Sequence, residues 1–216
     1  MKNPTILTLC ILWASLSLSF STTAQNEAKE EPLGTPARYL FPDDYMADPS
    51  VHIFEGKVYI YPSHDWESGV TDPEDGNHFN MRDYHVFSTK EPQKGIVTDH
   101  GVVLSLEQIP WASRQLWACD VACKDGKYYM YFPAKDKNDI FRLGVAIGEK
   151  PYGPFIPQPH PMRGSYSIDP AVFEDDGKYY IYFGGLQGGQ LQRYRDNKAQ
   201  ECGIIPGKNE EALPAR

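Results

Sequence analysis

From Tyr39 onward the apolar and aromatic residues of this chain gather in short runs bounded by Gly, Asp, Asn or Pro. No long stretch after the N-terminal segment repeats with the period of a helix. The runs predict strands in three groups. The first takes in residues 51–54, 57–61, 84–88 and 101–104. The second takes in 117–122, 127–132, 143–147 and a last strand near Phe155. The third takes in 171–174, 178–183 and 190–194. Glu55-Gly56, Asp125-Gly126 and Asp176-Gly177 fall between paired runs, where a two-residue hairpin needs φ above zero and glycine supplies it at little cost. Residues 65–82 are rich in Asp, Gly, Asn and Pro and read as a long loop, of the kind that often carries function.

The groups are copies of one pattern. Asp48-Pro49-Ser50-Val51, Asp120-Val121-Ala122 and Asp169-Pro170-Ala171-Val172 each set an aspartate before a short apolar strand. A turn glycine and an aromatic strand follow: Gly56 to Tyr61, Gly126 to Tyr131, Gly177 to Tyr182. A recurrence near 50 residues built from strands points to an all-β repeat array, and a β-propeller fits it. About three blades are visible, whereas a closed propeller usually has four to eight, and open sheet edges are avoided in natural proteins. The chain is therefore read as the N-terminal portion of a longer protein. Equivalent positions of successive blades converge on one axis, so Asp48, Asp120 and Asp169 are expected to approach one central pocket.

The first residues read as an address. Lys2, an apolar run over 5–20 and the small residues Thr22-Thr23-Ala24 make a secretory signal peptide, residues 1–24. The run is short for a membrane anchor. Cys10 follows Leu9 rather than a small residue, which argues against a lipid attachment site. Residues 25–38 are charged and aperiodic and read as a disordered lead-in; 39–216 read as the partial propeller. The protein is then secreted or periplasmic, with no membrane insertion after cleavage. A net charge of −8 argues against nucleic acid as a partner. Cleavage leaves Cys119, Cys123 and Cys202, an odd number, without a metal-binding spacing. Cys119 and Cys123 read as buried apolar fillers.

Each candidate residue has a plainer reading beside the functional one. Asp-Pro is also a common turn device. Asp120 either lines the pocket or holds a blade in register through backbone hydrogen bonds. Trp117 either stacks on a sugar face or is buried between blades. His64, Asp65 and Trp66 either reach the pocket rim or belong to a solvated loop. His85 and the tyrosines at 59, 61, 128, 129, 131, 179, 180 and 182 read as packing. Asp72-Pro73-Glu74-Asp75-Gly76 misses the spacing of a calcium loop.

Met46-Ala47-Asp48-Pro49-Ser50, Leu116-Trp117-Ala118-Cys119-Asp120-Val121 and Ser167-Ile168-Asp169-Pro170-Ala171 together resemble glycoside hydrolase family 43. The tails Tyr61-Pro62-Ser63-His64-Asp65, Tyr131-Phe132-Pro133-Ala134 and Tyr182-Phe183-Gly184-Gly185 are similar too. The resemblance covers about residues 39–213. It implies a five-bladed β-propeller that removes terminal xylose or arabinofuranose from plant polysaccharide, mostly by inversion. It gives Asp48 the role of general base and Asp169 that of modulator of the acid's pKa. Inversion needs a base and an acid roughly 6.5–9.5 Å apart, with water between the base and the sugar. A nearby third carboxylate keeps the acid protonated.

In the family the acid is a fourth-blade glutamate. Glu201, Glu210 and Glu211 are the glutamates that follow the third group, and none lies in a strand-like aromatic context. The acid is thus expected beyond Arg216, and these 216 residues alone are expected to hydrolyse nothing measurable. The resemblance calls for a carbohydrate substrate and no cofactor, with an axial calcium ion as an option because some members hold an ion there. The opposing readings are a non-catalytic carbohydrate-binding propeller and a related enzyme that retains configuration.

Overall fold

The computed structural model describes residues 40, 44–69, 78–165 and 167–184. The signal segment, the lead-in, the expected strand at 190–194, Asp72 to Gly76, Cys202 and the three late glutamates lie outside them.

Three antiparallel sheets follow one another along the chain. The first holds β1 (Met46–Phe54), β2 (Lys57–Trp66), β3 (Asn80–Thr89) and β4 (Thr98–Ser105) in sequential order. In the second, β7 (Lys127–Asp136) pairs with β6 (Asp120–Lys124) and β8 (Phe141–Gly148), and β8 pairs with β9 (Ile156–Pro157); the short β5 (Ala112–Arg114) joins the far end of β7. The third is the hairpin β10 (Ala171–Asp175) and β11 (Lys178–Tyr182). The first strands of the sheets lie side by side, β1 against β6 and β6 against β10.

The hairpin reading holds in atomic detail. Phe54 pairs with Lys57, Lys124 with Lys127 and Asp175 with Lys178, leaving two residues in each loop. All six loop residues have positive φ, from 50° at Asp176 to 76° at Gly177. That is the backbone of a tight turn whose twist matches the flanking strands.

Three features depart from the expected strand map. β2 runs on to Trp66 and β3 begins at Asn80, so the loop between them is shorter than residues 65–82. Polar residues occupy those strand ends because they pair across the ladder, Met81 opposite Asp65 and Asp83 opposite His64. Residues 117–119 precede strand β6 rather than forming part of it. β5 carries no run of apolar residues and was not legible as a strand.

The core lies between the first two sheets. Tyr61, Tyr84, Leu104, Leu116, Met130, Phe132 and Phe155 are fully buried there. The buried phenols keep their hydrogen bonds: Tyr61 Oη donates to the Pro151 carbonyl at 2.6 Å and Tyr84 Oη to that of Trp117 at 2.5 Å. The tyrosine stripe is packing at Tyr59, Tyr61 and Tyr128. On the third hairpin Tyr179, Tyr180 and Tyr182 are exposed, although Tyr179 Oη donates to the Cys123 carbonyl of β6 at 2.9 Å.

Gly144 on β8 sits where Phe132 and Trp111 stack at 6.0 Å. A Cβ there would stand 2.4 Å from the Phe132 ring and 2.7 Å from Trp111. Gly144→Ala is expected to destabilise the full-length protein by about 1–3 kcal/mol through overpacking, read as a fall in the urea midpoint. An unchanged midpoint would show that the two rings can part freely.

Candidate active site

Asp48 and Asp169 share a backbone state that few side chains tolerate. Their φ angles are 46° and 52°. Aspartate is among the residues that accept this left-handed region, and strained backbone gathers at functional sites. At Asp48 the cause is a bulge: Ala47 pairs with Ser63 and Ser50 with Tyr61, so Asp48-Pro49 faces Pro62 alone. Bulges re-aim side chains, and they are common beside active sites. Asp169 lies two residues before β10, at the matching start of the third sheet.

Both residues are exposed, and they feel one another. The Asp169 carboxyl titrates above the ordinary carboxylate value, first because partial burial penalises its charged form, then because the negative charge of Asp48 stands nearby. Two aspartates 121 positions apart in sequence are thus brought within electrostatic reach. Ser50 and Ser167, two residues from each aspartate on the strand side and the loop side, have buried hydroxyls with no hydrogen-bond partner. Such hydroxyls are uncommon in a finished interior and suit a polar ligand or ordered water.

Asp120 occupies the same place in the sequence pattern but has different surroundings. It is 6% exposed and lies within regular strand, opposite Tyr131. One oxygen meets His52 Nε2 at 2.5 Å and accepts the Val121 N–H at 2.9 Å; the other accepts the Val172 N–H at 2.6 Å. A single carboxylate therefore joins β1, β6 and β10. This is the arrangement expected of a group that holds the sheets in register. His52 was not legible as its partner, since it sits in an apolar run; its one signal is that it shares a strand face with Ser50 and Phe54.

At the far end of β2, Asp65 Oδ1 accepts the Asn80 N–H at 3.2 Å. Asp65 and Trp66 line an open cleft of about 510 Å³ together with Tyr45, Glu67, Ser68 and His78. His64 is tucked behind them, with Nδ1 at 2.8 Å from Asp83 and Nε2 at 3.0 Å from Asp44. Trp117 rests edge-on against Phe79 and 4.6 Å from the Phe141 ring centre, with Nε1 at 3.4 Å from the Phe79 carbonyl. It is half-buried between those rings and outside the cleft lining.

Cys119 and Cys123 are free thiols. Burial, and then the charge of Asp120, push the Cys119 thiol well above its usual value, as befits an inert filler. Calcium takes six to eight oxygen ligands, and Asp120, with both oxygens bonded to protein donors, does not fit one. Among the described residues one group of side chains could hold a metal ion, His64, Asp83 and His85. Two of its three donors are nitrogens, which suits a different cation. His85, read from sequence as packing, therefore belongs to a polar cluster.

A profile of glycosyl hydrolases family 43 matches residues 45–203. A protein of Bacteroides ovatus named xylosidase/arabinosidase is 69% identical over 183 residues, covering 84% of this chain and 56% of its own length. A protein of Xylanibacter ruminicola named beta-xylosidase is 52% identical over 182 residues, covering 83% of this chain and 57% of its own. Among solved structures, a beta-xylosidase/alpha-arabinofuranosidase from a compost microbial metagenome, in complex with xylotriose, superposes with a TM-score of 0.73 at 58% identity over 81% of this chain and 51% of its own. The chain spans about half the length of these relatives.

Proposed function

The chain belongs to glycosyl hydrolases family 43, and from that premise we propose that the protein it is part of removes terminal xylose or arabinofuranose from plant xylan or arabinan by inversion. One observation carries the reading: Asp48 and Asp169 are both exposed on left-handed backbone at the starts of the first and third sheets, where partial burial and then the charge of Asp48 raise the Asp169 pKa; the separate roles follow the family pattern. Asp48 is the general base. It is exposed, and among the described residues no hydrogen bond or ion pair occupies its carboxylate. It takes a proton from water as the water oxygen attacks the anomeric carbon. The glycosidic bond breaks, and its oxygen takes a proton from a carboxylic acid on the other face of the sugar. That acid lies outside the described residues. Asp169 is the third carboxylate, whose charge disfavours ionisation of the acid.

The pentose assignment draws on the relatives' names and on the xylotriose complex of one of them. Asp65 and Trp66 supply the polar and aromatic wall that a sugar needs. Residues 1–24 export the protein, which works outside the cytoplasm.

The test is proton NMR of the first product released from an aryl β-xyloside by the full-length protein. Early appearance of α-xylose, followed by mutarotation, is the expected result. Early β-xylose would replace inversion with retention. Binding of xylo-oligosaccharide with no turnover would leave a carbohydrate-binding propeller.

A further inference from the structure

We propose that His64, Asp83 and His85 form a binding site for a first-row divalent transition metal, zinc by preference, which ties β2 to β3 beside the cleft. His64 and Asp83 are cross-strand partners, and Asp83 and His85 are two apart on β3, so all three project from one sheet face. Their donor atoms lie within 4.8 Å of one another. The side chains are only 12%, 6% and 14% exposed. Two imidazoles and one carboxylate are a donor set for zinc and its neighbours rather than for calcium or magnesium.

The hydrogen bonding points the same way. A neutral imidazole carries one N–H, yet both nitrogens of each ring face carboxylate oxygens. His64 Nδ1 lies 2.8 Å from Asp83 Oδ1, and its Nε2 lies 3.0 Å from Asp44 Oδ2. His85 Nε2 lies 3.7 Å from the same Asp83 oxygen, and its Nδ1 lies 3.5 Å from Asp99 Oδ1. That Nδ1 is buried without a hydrogen bond. A cation held by His64 Nδ1, His85 Nε2 and Asp83 Oδ1 removes the mismatch. Each ring then needs a hydrogen only on its outer nitrogen, where Asp44 or Asp99 receives it.

A carboxylate on the outer nitrogen is the usual support of a metal-bound histidine. The remaining Asp83 oxygen is fixed by Trp66 Nε1 at 3.0 Å. Tetrahedral ligands at about 2.0–2.1 Å stand roughly 3.3 Å apart, and the 2.8 and 3.7 Å separations bracket that value. Entry of the metal fixes the tautomer of each neutral ring, with its single N–H on the outer nitrogen and no net loss of a proton, and leaves the fourth position to water. Through Asp83 the ion would steady Trp66 in the cleft wall.

The experiment reads metal and not turnover, so its outcome is independent of the glycosidase proposal. Full-length protein is stripped with a chelator and titrated with cobalt(II), then with zinc. Visible ligand-field bands of a four-coordinate nitrogen–oxygen site should appear and should be displaced by zinc. His85→Ala and His64→Ala should each abolish the bands, and Asp99→Asn should weaken binding by about 10–100-fold. Folded wild-type protein that shows no such bands at saturating cobalt would overturn the proposal, with no variant required. Bands that persist unchanged in both histidine variants would also overturn it, by placing the metal elsewhere.

Discussion

Asp48→Asn in the full-length protein is expected to lower kcat for xyloside hydrolysis by about 10²–10⁴-fold, the usual worth of a positioned general base. Asparagine is the informative replacement. The backbone at this position is left-handed, with φ of 46°, and asparagine accepts that region as readily as aspartate. The bulge therefore persists and only the charge is lost. Alanine would add backbone strain to the lost charge and confuse the two. Substrate binding should change far less than kcat, because the base acts on water.

The same variant has a second readout that does not require turnover. A negative neighbour favours the protonated form of Asp169, so a neutral amide at position 48 should lower the Asp169 pKa, followed by carbon-13 NMR of the carboxyl group. An unchanged Asp169 titration would dissolve the electrostatic link between the two residues. The stability contribution has a definite sign as well. The folded-state value lies above the unfolded one, so what Asp169 contributes to stability is present in acid and is lost as pH climbs through the raised value. In Asp48→Asn that loss should be smaller and should be complete at a lower pH, because the unfolded value at which it begins does not change.

The turns and the paired aspartates were legible for different reasons. Glu55-Gly56, Asp125-Gly126 and Asp176-Gly177 state their geometry locally, since φ above zero is written in the residue type itself. Asp48 and Asp169 were legible because each opens a repeat, and repetition turns a sequence position into a spatial one. The copies are nonetheless not equivalent. Asp120 opens the second copy, yet it is buried in regular strand with both oxygens bonded, whereas Asp48 and Asp169 are exposed on left-handed backbone. Nothing within a few residues of Asp120 announces His52 or Val172 as its partners.

The ends of β2 and β3 were hidden for a related reason. His64, Asp65 and Asp83 look like loop residues until they are seen paired across the ladder. Polarity predicts exposure only for a residue without a partner, and partners distant in sequence cannot be read from one chain. The third hairpin gives the converse case. Tyr179, Tyr180 and Tyr182 have the sequence of packed strands and the exposure of a surface, because packing depends on a neighbour as well as on the residue.

Asp120→Ala separates the two readings of that residue by a large effect on stability. The substitution strips the acceptor from His52 Nε2 and from the Val121 and Val172 N–H groups at once. Removing one partner from a buried charged network costs about 3–5 kcal/mol. At roughly 2–4 °C per kcal/mol for a domain of about this size, the melting temperature of the full-length protein should fall by about 6–20 °C. Asp120→Asn keeps one oxygen acceptor but sets an amide N–H against a backbone N–H. Its cost should lie nearer 1–3 kcal/mol, that of a buried donor left unsatisfied. Because the lost bonds join β1 and β10 to β6, hydrogen exchange should quicken at Val172 as well as at Val121. A sugar-binding Asp120 gives the opposite pattern: KM rises in both variants while the melting temperature and the Val172 exchange rate stay where they were. The joint behaviour of melting and KM therefore decides whether the second copy of the repeat serves the sugar or the sheets.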